Sequence, residues 1–237
     1  MTGHLLDVFE QVRIINLVDR QDRRREIVAQ LERIGGLASN ISFYEAHRPD
    51  CAAGFPNLGA RGCFESHLAV LRDARAARVR SLLILEDDVD FTRKGPERLA
   101  GNLPQLFNRH WDFFYGAHML GADGRSGVLQ IPSGEPIATT SFVAIHGDVL
   151  QPLIEFLEGV LSRPPGSPEY GPMHVDGAYT VFRMLHPDRV TFAAFPPVAR
   201  QRSSPSDVTP SKMLLDRWAA TGQLAALLRR LKNRFFR

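Results

Sequence analysis

The chain has 237 residues, of which 44% are hydrophobic and 23% charged, and its net charge at pH 7 is +3. These values are ordinary for a globular protein that buries a full core, and they exclude a small scaffold that depends on disulfides. The small basic excess suits phosphate-bearing partners, whether nucleotides, anionic lipid or nucleic acid, and does not choose among them.

Strand-like and helix-like segments alternate along the first half of the chain. Residues 12–17 and 41–46 are predicted as strands, and residues 22–34 as a helix with aliphatic side chains on one face. A second helix is predicted over 64–78. The apolar run 81–85 is typical of a central strand. This alternation predicts an α/β fold with a largely parallel sheet flanked by helices.

The second half continues the pattern less regularly. A helix is predicted to begin at Asp148, as its N-cap, and another over 177–185, after Asp176. Further strands are predicted over 113–115, 141–146 and 190–195. Segments rich in Gly, Pro and Ser are predicted as substrate-side loops over 49–62, 121–138 and 162–174.

Three adjacent acids follow the apolar run directly. Glu86, Asp87 and Asp88 come immediately after four aliphatic residues. Like charges this close repel one another, and burial increases the repulsion. A divalent cation that prefers oxygen ligands, Mn²⁺ or Mg²⁺, relieves it, and strand ends are where open α/β sheets bind ligands. The alternative is that the acids are solvated, or that they cap the next turn.

Five short blocks occur in a fixed order along the chain. They are Ile15-Asn16-Leu17 with Asp19, Arg20, Asp22, Arg23 and Arg24; Gly62-Cys63 with Ser66-His67; Leu83-Ile84-Leu85-Glu86-Asp87-Asp88-Val89; and, more weakly, Val175-Asp176 and the segment 197–207 with Gln201 and Ser204. Together the blocks resemble glycosyltransferase family 25, which includes bacterial lipopolysaccharide galactosyltransferases and collagen galactosyltransferases.

The resemblance implies a GT-A-like single domain over 1–207, with a Rossmann-like mixed sheet. It also implies a nucleotide-sugar donor, often UDP-galactose, an inverting transfer, and a metal-binding motif at Glu86–Asp88. Arg61 and the small pair Gly177-Ala178 depart from the family pattern. These departures affect the identity of the donor and the acceptor more than the reaction class.

Residues near the ends of the first and third strands are expected to bind the donor. Asp88 is expected to be the main metal ligand. Glu86 is expected to assist it or to hold donor hydroxyl groups. Alternation along an extended backbone points Asp87 the other way, so its donor contact is the weaker expectation. Asn16 and Arg20 follow the first strand and are expected to contact the nucleotide.

The second block is predicted to lie at the start of a helix. A helix N-terminus offers unpaired N–H groups and partial positive charge, so Gly62, Ser66 and His67 are expected near a donor phosphate. An ordinary helix start with a polar face is the alternative. Cys63 is expected to be a small core residue. It and Cys51 are expected to be free thiols in a reducing cytoplasm.

The last two blocks supply the expected catalytic and remaining donor contacts. An inverting transfer needs a base for the acceptor hydroxyl. Asp176 is the expected base, with an N-cap role as the alternative, and His174 is the second choice or an acceptor contact. Gln201 and Ser204 follow the last strand and are expected at the donor site.

The C-terminal segment 208–237 has a different character. Apolar and basic residues alternate over 211–237, which predicts an amphipathic helix on an anionic membrane surface. The alternative is a helix packed on its own domain or on a second subunit, and the oligomeric state stays open. No signal peptide or spanning segment is expected. We expect a cytoplasmic protein, peripheral on the inner face of the cytoplasmic membrane if this segment binds lipid.

The sequence thus predicts transfer of galactose or another hexose from a UDP-sugar to a glycan or lipid-linked saccharide, such as a lipopolysaccharide precursor. No aromatic platform or recognition helix points to nucleic acid. The alternatives are a metal-dependent phosphohydrolase that uses the same acids, and a non-catalytic glycan- or membrane-binding protein of the same fold.

Overall fold

The computed structural model describes residues 6–121 and 124–202. Strands and helices alternate along them. In chain order the elements are β1 (Gln11–Asn16), α1 (Gln21–Glu32), β2 (Ile41–Glu45), α2 (Leu58–Ala76), β3 (Ser81–Glu86), β4 (Val89–Phe91), α3 (Gly95–Phe107), β5 (Phe113–Tyr115), β6 (Gly127–Ile131), β7 (Phe142–His146), α4 (Gly147–Ser162), α5 (Val175–Leu185), β8 (Thr191–Phe195) and β9 (Ala199–Gln201).

A seven-stranded mixed sheet forms the centre, in the order β2-β1-β3-β7-β5-β8-β6. Strands β2, β1, β3, β5 and β8 run in one direction, whereas β7 and β6 run in the other. A separate antiparallel pair joins β4 to β9, with Val89 opposite Gln201. The predicted α/β class, a mixed sheet flanked by helices, is confirmed, and the architecture is consistent with a GT-A-like fold.

The central strand β3 explains why the sheet is covered on both faces. Leu82 and Ile84 pack in one hydrophobic cluster with residues of α2, α4 and α5. Leu83 and Leu85 point the other way, into a second cluster with residues of α1 and α3. All four side chains are fully buried, as the uninterrupted apolar run predicts.

Several elements differ from those predicted. Helix α5 begins at Val175 rather than at residue 177, so Asp176 lies inside it. Helix α2 begins at Leu58 rather than near residue 64, because the side chain of Asn57 caps it by accepting a hydrogen bond from Ala60 N at 2.8 Å. The N-cap of α4 is His146, whose Nδ1 accepts from the backbone N of Asp148. The predicted loop 121–138 contains strand β6, which pairs with β8.

Some predictions fall beyond the described part of the chain. The described residues belong to one compact unit that ends at Arg202. Ser204, the predicted boundary between 207 and 208, and the amphipathic segment 208–237 lie outside them. Within 6–121 and 124–202, each helix is too short or too polar to cross a membrane.

Candidate active site

Several polar residues predicted for the donor site, Asn16, Glu86, Asp87, Asp88 and Gln201, converge at one edge of the central sheet. Parallel strands β1, β3, β5 and β8 end there, at Asn16, Glu86, Tyr115 and Phe195. Strand β7 is antiparallel to β3, so it begins at this edge, and the segment 139–141 leads into it. The carboxyl ends of such strands are where α/β sheets bind ligands.

Asp88 has a buried carboxylate oxygen without a partner. The residue is 8% exposed, and its Oδ2 accepts a hydrogen bond from Gln201 Nε2 at 3.1 Å. Its Oδ1 has no hydrogen-bond partner among the described residues. Burial, and then the charges of Glu86 and Asp87, raise the pKa of Asp88 to about 7. This oxygen therefore offers a site for a cation.

Asp87 is already held by the protein. Its Oδ2 accepts from Asn16 Nδ2 at 2.8 Å, and its Oδ1 accepts from Arg23 Nη1 at 3.0 Å. Burial raises the pKa of Asp87 although these two partners lower it. The buried Oδ1 of Asn16 has no partner within the described segments. Asp87 therefore orients Asn16, and Asn16 presents a second buried acceptor at this edge.

Glu86 is supported by a segment that the sequence did not single out. Thr140 Oγ1 donates to Glu86 Oε1 at 2.8 Å, and Glu86 N donates to Ser141 O at 3.0 Å. Thr139 adopts a φ of 72°, which is uncommon for a β-branched residue, and its Oγ1 accepts from Ser141 N at 3.2 Å. The turn before β7 thus fixes Glu86 at the strand end.

Asp176 joins the same site from helix α5. It lies in the first turn, and its Oδ2 accepts a hydrogen bond from Thr139 N at 3.2 Å. Its Oδ1 accepts from Gly177 N at 2.8 Å. His174 is the partly exposed N-cap residue of this helix, and its side chain makes no capping hydrogen bond to the described residues. The N-cap role considered for Asp176 therefore belongs to His174.

The four carboxylates create one negative region. Burial raises the pKa of the Cys63 thiol well above its usual range, and the charges of Glu86, Asp176, Asp88 and Asp87 raise it further, in that order. The acids at the end of β3 and Asp176 of α5 therefore all lie close enough to the Cys63 thiol to raise its pKa. Their shared field favours a bound cation.

Gly62, Ser66 and His67 were predicted to bind phosphate at the N-terminus of a helix, but the structure does not place them at a helix N-terminus. Gly62, Ser66 and His67 lie inside the helix, because it begins at Leu58. A Cβ on Gly62 would meet His47 O at 2.5 Å, so this glycine permits close packing of the chain. Ser66 Oγ donates to Gly62 O at 2.6 Å and accepts from His47 N at 2.8 Å.

Ser66 is expected to contribute to stability rather than to donor binding. Ser66→Ala removes the hydroxyl that accepts from His47 N and donates to Gly62 O, so we expect a loss of about 0.5–1.5 kcal/mol in the free energy of unfolding. Urea denaturation of the variant checks this value. An unchanged midpoint, or a donor affinity reduced as much as by changes at Asp88, would contradict the structural role.

Arg20 is at the N-cap position of α1, beside Asn16. Its guanidinium donates to both carboxylate oxygens of Asp22, at 2.9 and 2.7 Å, and this hydrogen bonding lowers the pKa of Asp22. Asn16 Nδ2 lies 3.4 Å from Arg20 O. Asn16 and Arg20 therefore lie next to each other at the end of β1, and their contact with the nucleotide stays a prediction.

The acids that the sequence proposed as metal ligands fit an oxygen-preferring ion. Asp88 supplies a buried carboxylate oxygen to which no described residue donates a hydrogen bond. After burial, the charge of Glu86 is the second-largest cause of the raised pKa of Asp88. Mn²⁺ and Mg²⁺ are bound through such oxygens. Gln201, predicted at the donor site, does reach Asp88, whereas nothing in the sequence pattern indicated the support of Glu86 by Thr140.

Comparison with known proteins finds similarity to solved structures. No protein-family model matches the chain. The chain is similar to the solved structure of a glycosyltransferase involved in the glycosylation of the major capsid of PBCV-1, with 13% sequence identity and a TM-score of 0.39. The match covers 83% of this chain and 94% of that chain. At this identity and TM-score, function has to be argued from the chain's own residues.

Proposed function

We propose that the protein is an inverting glycosyltransferase, similar to family 25, which moves a hexose such as galactose from a UDP-sugar to an acceptor hydroxyl. The observation that carries the proposal is the buried Oδ1 of Asp88, which has no hydrogen-bond partner in residues 6–121 and 124–202 and lies within a group of carboxylates. Burying a carboxylate oxygen costs free energy unless a cation binds it or a hydrogen-bond donor contacts it. A metal–diphosphate complex supplies the cation.

The strand ends supply the donor site. Asp88 and Glu86 would hold Mn²⁺ or Mg²⁺, which when bound neutralises charge on the diphosphate. Asn16 offers its buried Oδ1 to the nucleotide, with Arg20 beside it. Gln201 orients Asp88, and Asp87 orients Asn16.

Asp176 is the proposed catalytic base. Its carboxylate would take the proton of the acceptor hydroxyl as that oxygen bonds to the anomeric carbon, while the bond from this carbon to the UDP oxygen breaks. One displacement inverts the anomeric configuration. Hydrogen bonds from Thr139 N and Gly177 N hold the base in place. His174, the partly exposed N-cap residue two positions earlier, is proposed on the acceptor side.

The acceptor is proposed to be a glycan or a lipid-linked saccharide, as in lipopolysaccharide assembly. The basic amphipathic segment 211–237 would bring the enzyme to an anionic membrane surface, where a lipid-linked acceptor lies. The same setting implies a cytoplasmic enzyme that is peripheral on the inner face of the membrane.

A ligand screen tests the proposed reaction class. We expect a UDP-hexose with Mn²⁺ to raise the unfolding temperature, because a ligand at 100 times its Kd stabilises the native state by about 2.7 kcal/mol. EDTA should remove the effect. The hit is then incubated with saccharide acceptors, and product formation is measured by mass spectrometry.

The two rival functions give different results in this experiment. A phosphohydrolase would release phosphate from simple phosphate esters without an acceptor. A non-catalytic glycan-binding protein would respond to the saccharide and not to the nucleotide sugar. Either result would replace the glycosyltransferase proposal.

A further inference from the structure

Three side chains of different chemistry meet beside the strand-end acids. Cys63 and His67 are four residues apart on α2, so they lie on the same face of that helix. Glu86 faces them from the end of β3. The ligand atoms of these three residues all lie within 4.8 Å of one another.

His67 has a buried ring nitrogen that is placed to ligate a metal ion. Its side chain is fully buried, and its Nδ1 lies 3.1 Å from the hydroxyl of Tyr179. Its Nε2 is also buried and has no hydrogen-bond partner in the described part of the chain, although Glu86 Oε1 is 3.5 Å away. When Nδ1–H donates to Tyr179, Nε2 directs a lone pair toward a carboxylate. In this tautomer a cation between the two groups is coordinated by both the imidazole and the carboxylate.

The three ligand types favour a different metal from the one proposed for the nucleotide-sugar site. Thiolate, imidazole and carboxylate together are ligands of Zn²⁺, whereas Mn²⁺ and Mg²⁺ prefer oxygen. Cys63 binds a metal as the thiolate, so zinc binding at this site releases a proton. The other cysteine, Cys51, is exposed and is not part of this group.

We propose that Cys63, His67 and Glu86 form a Zn²⁺ site with three protein ligands and an open fourth position. Tyr179 fixes the ring of His67, and Thr140, which donates to Glu86 Oε1 at 2.8 Å, fixes the carboxylate. The site goes beyond the glycosyltransferase proposal and does not depend on it. Glu86 is common to both sites, whereas Cys63 and His67 belong to the zinc site alone.

Cobalt substitution tests the site without any activity measurement. Co²⁺ bound through a thiolate gives an intense charge-transfer band in the near ultraviolet, and Co²⁺ on oxygen ligands does not. Metal-free full-length protein is titrated with Co²⁺, and Zn²⁺ is then added. We expect the band to reach its maximum at one equivalent of Co²⁺ and to disappear when Zn²⁺ displaces it.

Variants of the two cysteines provide a matched pair. Cys51→Ser should keep the band and Cys63→Ser should lose it. Tyr179→Phe should weaken Zn²⁺ binding roughly tenfold, the effect of losing a group that orients a ligand. No band in Cys51→Ser, which retains only the Cys63 thiol, would overturn the proposal however well Cys63→Ser folds. A band that persists in Cys63→Ser would overturn it as well.

Donor binding measured on the same samples separates the two proposals. If the cobalt band is absent while Mn²⁺-dependent UDP binding is present, the zinc site is refuted and the glycosyltransferase proposal stands. If the band follows Cys63 while UDP fails to bind, the zinc site is supported and the proposed function is refuted.

Discussion

Asp88→Asn is expected to abolish Mn²⁺-dependent binding of the nucleotide sugar and to stabilise the metal-free protein at pH 8. Both effects have one cause, the burial of an ionised carboxylate whose Oδ1 has no hydrogen-bond partner within the part of the chain that the structure describes. The amide keeps the shape of the side chain and can accept the hydrogen bond from Gln201, but it carries no charge for a metal. We expect donor affinity to fall by more than about 100-fold, since even groups that only orient a metal ligand contribute 10–100-fold.

The stability effect depends on pH in a defined direction. The pKa of Asp88 is raised from 3.8 to about 7, so its contribution to stability is complete below about pH 4 and is lost as the pH rises through 7. The free energy of unfolding of Asp88→Asn relative to the unsubstituted protein should therefore increase between pH 4 and 8, by about 2–4 kcal/mol. Urea denaturation in EDTA at several pH values measures it.

A neighbouring acid supplies the control for this experiment. Asp90 lies on β4 and forms an ion pair with Arg202 at 2.6 Å. Asp90→Asn should leave Mn²⁺-dependent donor binding intact. If Asp88→Asn still bound the donor in a metal-dependent way, or if its stability difference did not change with pH, Asp88 would not be the metal ligand.

Asp176→Asn is expected to slow transfer by about 10²–10⁴-fold while leaving the Kd of the donor unchanged, the effect of removing a general base. An amide oxygen can still accept from Thr139 N, so the first turn of α5 should keep its geometry. Single-turnover transfer and calorimetric titration of the donor give the two quantities separately.

The matched control for the base is Asp148, an exposed acid in the first turn of α4. Asp148→Asn should have no effect on transfer. A loss of less than tenfold in Asp176→Asn, together with a large loss in His174→Gln, would assign the base to His174. A large rise in donor Kd for Asp176→Asn would place this acid in donor binding.

The elements that carry a strong local pattern were predictable from the sequence. The apolar run of β3 led directly to Glu86–Asp88, and the structure places these acids at the edge of the sheet where β1 also ends. Asn16 was expected there from the resemblance to family 25 together with its position at the end of the first strand. Hydrophobic periodicity was sufficient for the strand itself, whereas the assignment of Asn16 also needed the resemblance.

Contacts between remote segments were not predictable in this way. Thr140 reaches Glu86 across 54 positions, and Tyr179 reaches His67 across 112, and neither pairing leaves a local pattern. The early start of α2 was missed because the glycines near residue 60 resemble a loop. In the structure Gly62 instead permits a close approach to the backbone of His47.

The identity of the ion at the strand end can be measured most directly by anomalous X-ray scattering from crystals soaked with Mn²⁺ and UDP. The proposed function predicts a manganese peak within about 2.5 Å of Asp88 Oδ1, with a diphosphate oxygen on the same ion. UDP bound with no manganese at Asp88, or manganese bound only elsewhere, would contradict it.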